Sequence, residues 1–117
     1  MRKLIVLSLL LIAFGTGAAQ AHAFLDHASP SVGSTVRSAP HEVTLSFTLN
    51  IEAASSNVQV TDSSGARVDE GKAQISGKTM RIGLKALKPG TYRVRWHVLS
   101  VDAHNAEGSF SFTVSGS

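Results

Sequence analysis

From residue 42 onward, hydrophobic residues alternate one by one with polar residues in several short runs. Successive side chains of an extended chain face opposite sides of a sheet, so this period of two predicts strands with one buried face and one solvent-exposed face. The clearest runs are 43–49, 58–61, 80–85, 92–98 and 110–114. Five strands are therefore predicted from alternation alone.

Residues typical of turns separate these runs, namely Asp-Ser-Ser-Gly at 62–65, Ser-Gly-Lys at 76–78 and Lys-Pro-Gly at 88–90. No window carries a sustained helical period, although 51–57 could hold a short helical turn. Segments that could add further strands are 24–28, 67–68 and 73–75. About seven short strands with frequent turns predict an all-β fold, a Greek-key antiparallel β-sandwich or barrel of immunoglobulin-like or cupredoxin-like type.

The inward positions of these strands define the predicted core. It consists of Leu25, Val43, Leu45, Phe47, Val58, Val60, Ile82, Leu84, Tyr92, Val94, Trp96, Val98, Phe110, Phe112 and Val114. Trp96 is the largest of these side chains and is interpreted as a core residue. Met80 lies on a strand, where a place in the core is favoured over a role as a ligand.

The start of the chain has the pattern of a secretory signal peptide. Arg2 and Lys3 precede an apolar run at 4–14, and small residues follow up to Ala21. The apolar run is shorter than the roughly 20 residues that a membrane span needs, so an uncleaved anchor is the less favoured alternative. The pattern predicts a cleaved signal peptide at 1–21 and a single domain at 22–117, exported to the periplasm.

Removal of 1–21 changes what the composition implies. The mature chain has 96 residues, with 9 basic and 8 acidic side chains, so the net charge falls from +3 to +1. Scattered basic residues argue against a nucleic-acid partner, and a small domain makes a monomer the default. The absence of cysteine excludes disulfide scaffolds, zinc–thiolate sites and thiol redox chemistry.

Cleavage after Ala21 would place His22 at the new N-terminus. Its α-amine, with a reference pKa of about 7.7–8.0, and its ring Nδ1 could then chelate one metal ion in a six-membered ring. Asp102 and His104 follow the 92–98 strand, and in an extended chain their side chains would point the same way. Three nitrogens and one oxygen favour tetragonal Cu(II). The alternative is that Asp102 and His104 are only turn and surface residues.

Three further histidines are interpreted first as surface residues: His27, His41 and His97. His27 is five positions from His22 and faces the opposite side in a regular strand, but it could approach the metal if the N-terminus bends. Cleavage after Ala23 also fits the small-residue pattern and would delete His22.

The chain resembles the CopC family of copper-binding proteins in two motifs, HAFLDHASP at 22–30 and PGTYRVRWHVLSVDAH at 89–104, the second followed by GSFSF at 108–112. The resemblance implies a periplasmic Greek-key sandwich that binds copper for resistance and trafficking. It also implies that His22, Asp102 and His104 are the Cu(II) ligands, and that an inner-membrane copper transporter could be the partner.

Two departures from the family pattern change this expectation. Some members have a methionine-rich Cu(I) site, whereas the mature chain keeps only Met80, which predicts a Cu(II)-only protein with one ion per chain. Some members also have an acidic residue near the copper where this chain has Leu49, and Glu52 lies three residues further on.

The expected function is Cu(II) sequestration or transport without catalysis. The alternatives are a copper-dependent oxidative enzyme with a histidine brace and an exported β-sandwich interaction module.

Overall fold

Two sheets packed face to face form the protein, for which a computed structural model describes residues 24–116. The strands are β1 (Leu25–Ser29), β2 (Thr35–Val36), β3 (Glu42–Phe47), β4 (Asn57–Thr61), β5 (Gln74–Ser76), β6 (Thr79–Gly83), β7 (Gly90–Leu99) and β8 (Asn105–Val114). Each of the five alternating runs lies within or overlaps one strand. The short helical turn expected within 51–57 is a 3-10 turn at Ala53–Ser55.

The strand orders are β1-β3-β6-β5 in one sheet and β2-β8-β7-β4 in the other. Only β5–β6 and β7–β8 pair as consecutive strands, and every other connection crosses between the sheets, which gives the predicted Greek-key sandwich. The strand pairs are antiparallel, as predicted, except at one place, where β2 runs parallel to β8. A strand of two residues is too short to show a period, so alternation could not reveal it.

The predicted core is confirmed at every position except Leu25, which is only partly buried near the end of edge strand β1. Met80 is fully buried, as expected. Buried hydrophobic residues that the prediction did not include are Ala28, Ile51 and Leu87. Ile51 and Leu87 lie outside the named strands, where no alternation marks an inward position.

Trp96 lies in the core, near the end of the sandwich at which β7 leads into the turn before β8. The centroid of its ring lies 5.2 Å from the ring centroid of Phe47 in a T-shaped arrangement, which is a favoured aromatic geometry. On the neighbouring strand Gly108 pairs with Trp96, and a Cβ at Gly108 would lie only 2.7 Å from Cζ2 of the indole. The absence of a side chain at 108 therefore lets the indole lie directly on β8.

A buried carboxylate, that of Asp69, joins the loop after β4 to the rest of the sandwich. Oδ2 accepts hydrogen bonds from the Val60 amide at 2.7 Å and Arg67 Nε at 2.8 Å. Oδ1 accepts from Arg67 Nη2 and the Gly71 amide, both at 2.8 Å. Burial raises the pKa of Asp69, but these hydrogen bonds outweigh that effect and hold its pKa below the ordinary value of 3.8.

We expect Asp69→Asn to be destabilising at pH 7 by about 1–3 kcal/mol, because an amide cannot accept all four hydrogen bonds. A carboxylate whose pKa is depressed by folding stabilises the fold above its unfolded pKa, and this contribution disappears as the pH falls through the folded pKa. The difference in the free energy of unfolding between wild type and Asp69→Asn should therefore become smaller below about pH 4. Urea unfolding of both proteins at pH 7 and pH 3 measures this difference. The same difference in the free energy of unfolding at both pH values would contradict the prediction.

Within 24–116, no helix is long and apolar enough to span a membrane. The predicted signal peptide at 1–21 lies outside the described residues.

Candidate metal centre

The turn between β7 and β8, residues 100–104, holds two of the three predicted ligands. The Ser100 amide donates to the His104 carbonyl at 2.9 Å, and the Ala103 amide donates to the Ser100 carbonyl at 2.9 Å. Ala103 has φ of 69°, in the left-handed region. The expectation of an extended chain at Asp102–His104 is therefore wrong, because the chain reverses direction here.

The turn nevertheless brings Asp102 and His104 into direct contact. His104 Nδ1 lies 3.1 Å from Asp102 Oδ1, and both side chains are largely exposed, with 78% and 51% of their surface accessible. Nδ1 and Oδ1 are therefore two donor atoms held side by side at the surface. The arrangement is that of a carboxylate and an imidazole in which the carboxylate orients the ring.

Ser100 donates a hydrogen bond from Oγ to the same carboxylate oxygen, Oδ1 of Asp102. The hydrogen bond from Ser100 and the contact with His104 lower the pKa of Asp102 below its ordinary value of 3.8. Asp102 is therefore ionised at neutral pH, as a metal ligand must be.

The segment 48–52 joins this turn to the beginning of the described chain. The Val101 amide donates to the Asn50 carbonyl at 3.0 Å, and the Glu52 amide donates to the Leu99 carbonyl at 2.8 Å. At the other end of the segment, the Thr48 amide donates to the Phe24 carbonyl at 3.1 Å. The chain therefore enters the fold at the end of the sandwich that carries the turn 100–104.

His22, the third predicted ligand, lies outside the described residues. Across 24–116, no group of three or more histidine, aspartate, glutamate or cysteine side chains is arranged to hold a metal ion. The Asp102–His104 pair by itself supplies only two candidate ligands, so a complete site requires a contribution from elsewhere.

The remaining candidates are all at least partly accessible. His27 Nδ1 lies 3.1 Å from Asp26 Oδ2, and a register shift between Leu25 and His27 breaks the regular alternation of β1. His41 is exposed. Leu49 is 39% exposed, with no carboxylate at that position, and Glu52 is also exposed.

His97 is partly buried on the outer face of its sheet, in register with Asn57 on β4 and Glu107 on β8. These three residues border a shallow polar groove that also includes Arg95. The groove lies on the face of the sheet away from the core, so His97 belongs to the solvent-facing side, as expected.

The fold is that of a small β-sandwich, and at one end it holds a carboxylate and an imidazole in contact, those of Asp102 and His104. Residues 25–115 match the CopC domain family. The chain belongs to the CopC family, whose members are periplasmic copper resistance and transport proteins, and its function is therefore related to copper in the periplasm.

Individual relatives agree with this assignment. The chain is 34% identical to protein YobA of Escherichia coli K12 over 112 residues, covering 92% of this chain and 90% of YobA. It is 30% identical to copper transport protein CutJ of Bacillus subtilis over 113 residues, covering 93% of this chain but 21% of CutJ. The crystal structure of CopC from Methylosinus trichosporium OB3b superposes with a TM-score of 0.70 at 36% identity, covering 81% of this chain and 95% of that one.

Proposed function

We propose that the protein, after removal of the signal peptide at 1–21, binds one Cu(II) ion and sequesters or carries it in the periplasm. The ligands are the amine and ring Nδ1 of His22, a carboxylate oxygen of Asp102 and ring Nδ1 of His104. The observation that carries the proposal is that Asp102 Oδ1 and His104 Nδ1 lie 3.1 Å apart. Bonds of about 2 Å to one metal ion place neighbouring ligand atoms about 3 Å apart. This geometry prepares both side chains for one metal ion before it arrives.

The reach of the N-terminus supports the role of His22. His22 precedes Phe24 by two residues, a span of at most about 7 Å in extended chain. Phe24 is hydrogen-bonded to Thr48, and Asn50, two residues further on, is hydrogen-bonded to Val101 in the turn. A short N-terminal segment can therefore bring its amine and imidazole to the exposed side of Asp102 and His104.

The oxidation state follows from the donors. Cu(I) prefers thioether and thiolate ligands, whereas imidazole, amine and carboxylate suit Cu(II). The chain has no cysteine, and the only methionine of the mature protein, Met80, is fully buried in the core. The donors near the turn 100–104 are nitrogen and oxygen, so Cu(II) is the cargo.

The test is a Cu(II) titration of the protein whose N-terminus has been verified as His22 by mass spectrometry, followed by EPR and competition with a chelator. We expect one equivalent of tetragonal Cu(II). His104→Ala should weaken binding by more than about a hundredfold, since the loss of a ligand exceeds the 10–100-fold effect of supporting residues. His41→Ala, which removes an exposed histidine elsewhere, should leave affinity and spectrum unchanged. Equal binding by all three proteins would refute the proposal.

We further propose that the protein acts by binding and transfer, as a monomer and without catalytic turnover. A carboxylate ligand occupies a coordination position that oxygen chemistry on copper would require. The similarity to part of CutJ, which is named as a copper transport protein, favours transfer to an inner-membrane copper transporter. Oxygen consumption by the copper-loaded protein with a reductant, above that of free copper, would contradict the absence of turnover.

A further inference from the structure

We infer that Ser100 is a positioning residue for the copper site, because one buried hydroxyl holds both the Asp102 carboxylate and the His104 backbone. The inference rests on the proposed function, since it concerns how those two ligands are presented. Ser100 does not itself face the metal. It is 1% exposed, beneath a turn whose other residues are all exposed.

A serine hydroxyl has one hydrogen to donate and two lone pairs to accept with, and Ser100 uses both capacities inside the turn. Its hydrogen goes to Oδ1 of Asp102. Its oxygen accepts from the His104 amide at 3.1 Å. The same residue is fixed from below, because its backbone forms a bridge with buried Ile51. Ser100 therefore transfers the rigidity of the sandwich to both proposed ligands.

The hydroxyl also fixes the orientation of the carboxylate beside the imidazole. Both side-chain partners of Asp102, Ser100 Oγ and His104 Nδ1, contact the same oxygen, Oδ1. Rotation of the carboxylate is therefore restricted, and Oδ1 is held beside Nδ1 of the imidazole. Without the hydroxyl, the carboxylate could rotate and move Oδ1 away from His104 Nδ1, which would separate the two proposed ligand atoms.

Ser100→Ala removes the hydroxyl and adds no new group. In the mature protein, we expect the affinity for Cu(II) to fall about 10–100-fold, the usual effect of losing a group that orients a metal ligand. We also expect the copper hyperfine splitting in the EPR spectrum to change, since the carboxylate contributes differently. Ser100→Thr keeps the hydroxyl and should restore the wild-type spectrum.

Ser56→Ala is the matched control. The Ser56 hydroxyl accepts from the Leu99 amide at 3.1 Å, one residue before Ser100, but it has no hydrogen bond to Asp102 or His104 within 24–116. This variant loses a serine hydroxyl at the same end of the fold. A purely structural effect would appear in both variants, whereas a positioning effect changes the spectrum and affinity only in Ser100→Ala.

The outcomes separate the two proposals. If wild type binds no Cu(II), or if His104→Ala binds as well as wild type, the proposed function fails. If wild type binds and His104→Ala does not, while Ser100→Ala retains wild-type affinity and spectrum, the inference about Ser100 alone is overturned. A Ser100→Ala protein that does not fold, judged by circular dichroism without metal, also overturns it, because the hydroxyl would then be needed for the fold itself.

Discussion

Trp96→Ala should lower the free energy of unfolding by about 3–5 kcal/mol, the usual cost of truncating a buried aromatic residue. The indole is 3% exposed, contacts the ring of Phe47 and lies against Gly108. No nearby side chain on β8 can fill the space, because position 108 is glycine. Small domains are stabilised by only about 5–15 kcal/mol, so the variant should unfold at a much lower urea concentration.

Val101→Ala provides the control for this measurement. Val101 is 57% exposed at the same end of the sandwich, and its truncation should change stability by no more than about 0.5 kcal/mol. Trp96→Phe should lower the free energy of unfolding by more than Val101→Ala and by less than Trp96→Ala, since it keeps an aromatic ring but leaves part of the space empty. A loss below about 1 kcal/mol for Trp96→Ala would show that the core closes around the missing ring.

The sequence predicted the sandwich well because burial on one face imposes a period of two. That signal requires several alternating residues, so it found β3 and β7 but not the two-residue β2. It also cannot find inward positions outside strands, which explains why Ile51 and Leu87 were not predicted. Asp69 was missed for a different reason: its burial depends on hydrogen bonds from Arg67 and two backbone amides, which no hydrophobic pattern reveals.

The candidate site was predicted from residue types rather than from local conformation. Spacing and the family resemblance identified Asp102 and His104, and the structure brings these two side chains together. The assumed extended backbone was wrong, since Ala103 is left-handed and the chain turns. Ser100 was not predicted as part of the site. Serine hydroxyls commonly bond to nearby backbone in turns, so a serine two residues before the aspartate was the available signal.

Loss of the free α-amine of His22 should have a large effect on the affinity for Cu(II). Acetylation of the α-amine of His22 keeps the imidazole but converts the amine into an amide, and unlike an added residue it supplies no new terminal amine. The chelate ring is then lost, and we expect Cu(II) affinity to fall by more than about a hundredfold, beyond the effect of losing a supporting residue. The stability of the metal-free fold should not change, because termini rarely contribute unless they are tied down.

Amidation of the carboxylate of Ser117 is the matched control, since it caps the other terminus and leaves the amine of His22 free. This protein should bind Cu(II) as wild type does, with the same EPR spectrum. Equal affinity of the acetylated protein would remove the amine from the ligand set and leave imidazole and carboxylate donors alone. The length of the chain after export decides the same question independently: cleavage after Ala23 would make Phe24 the first residue, and the periplasmic protein would then lack both nitrogens of His22. Mass spectrometry of the exported chain, combined with the acetylated and the amidated proteins, therefore tests whether the copper site is completed only when the signal peptide is removed.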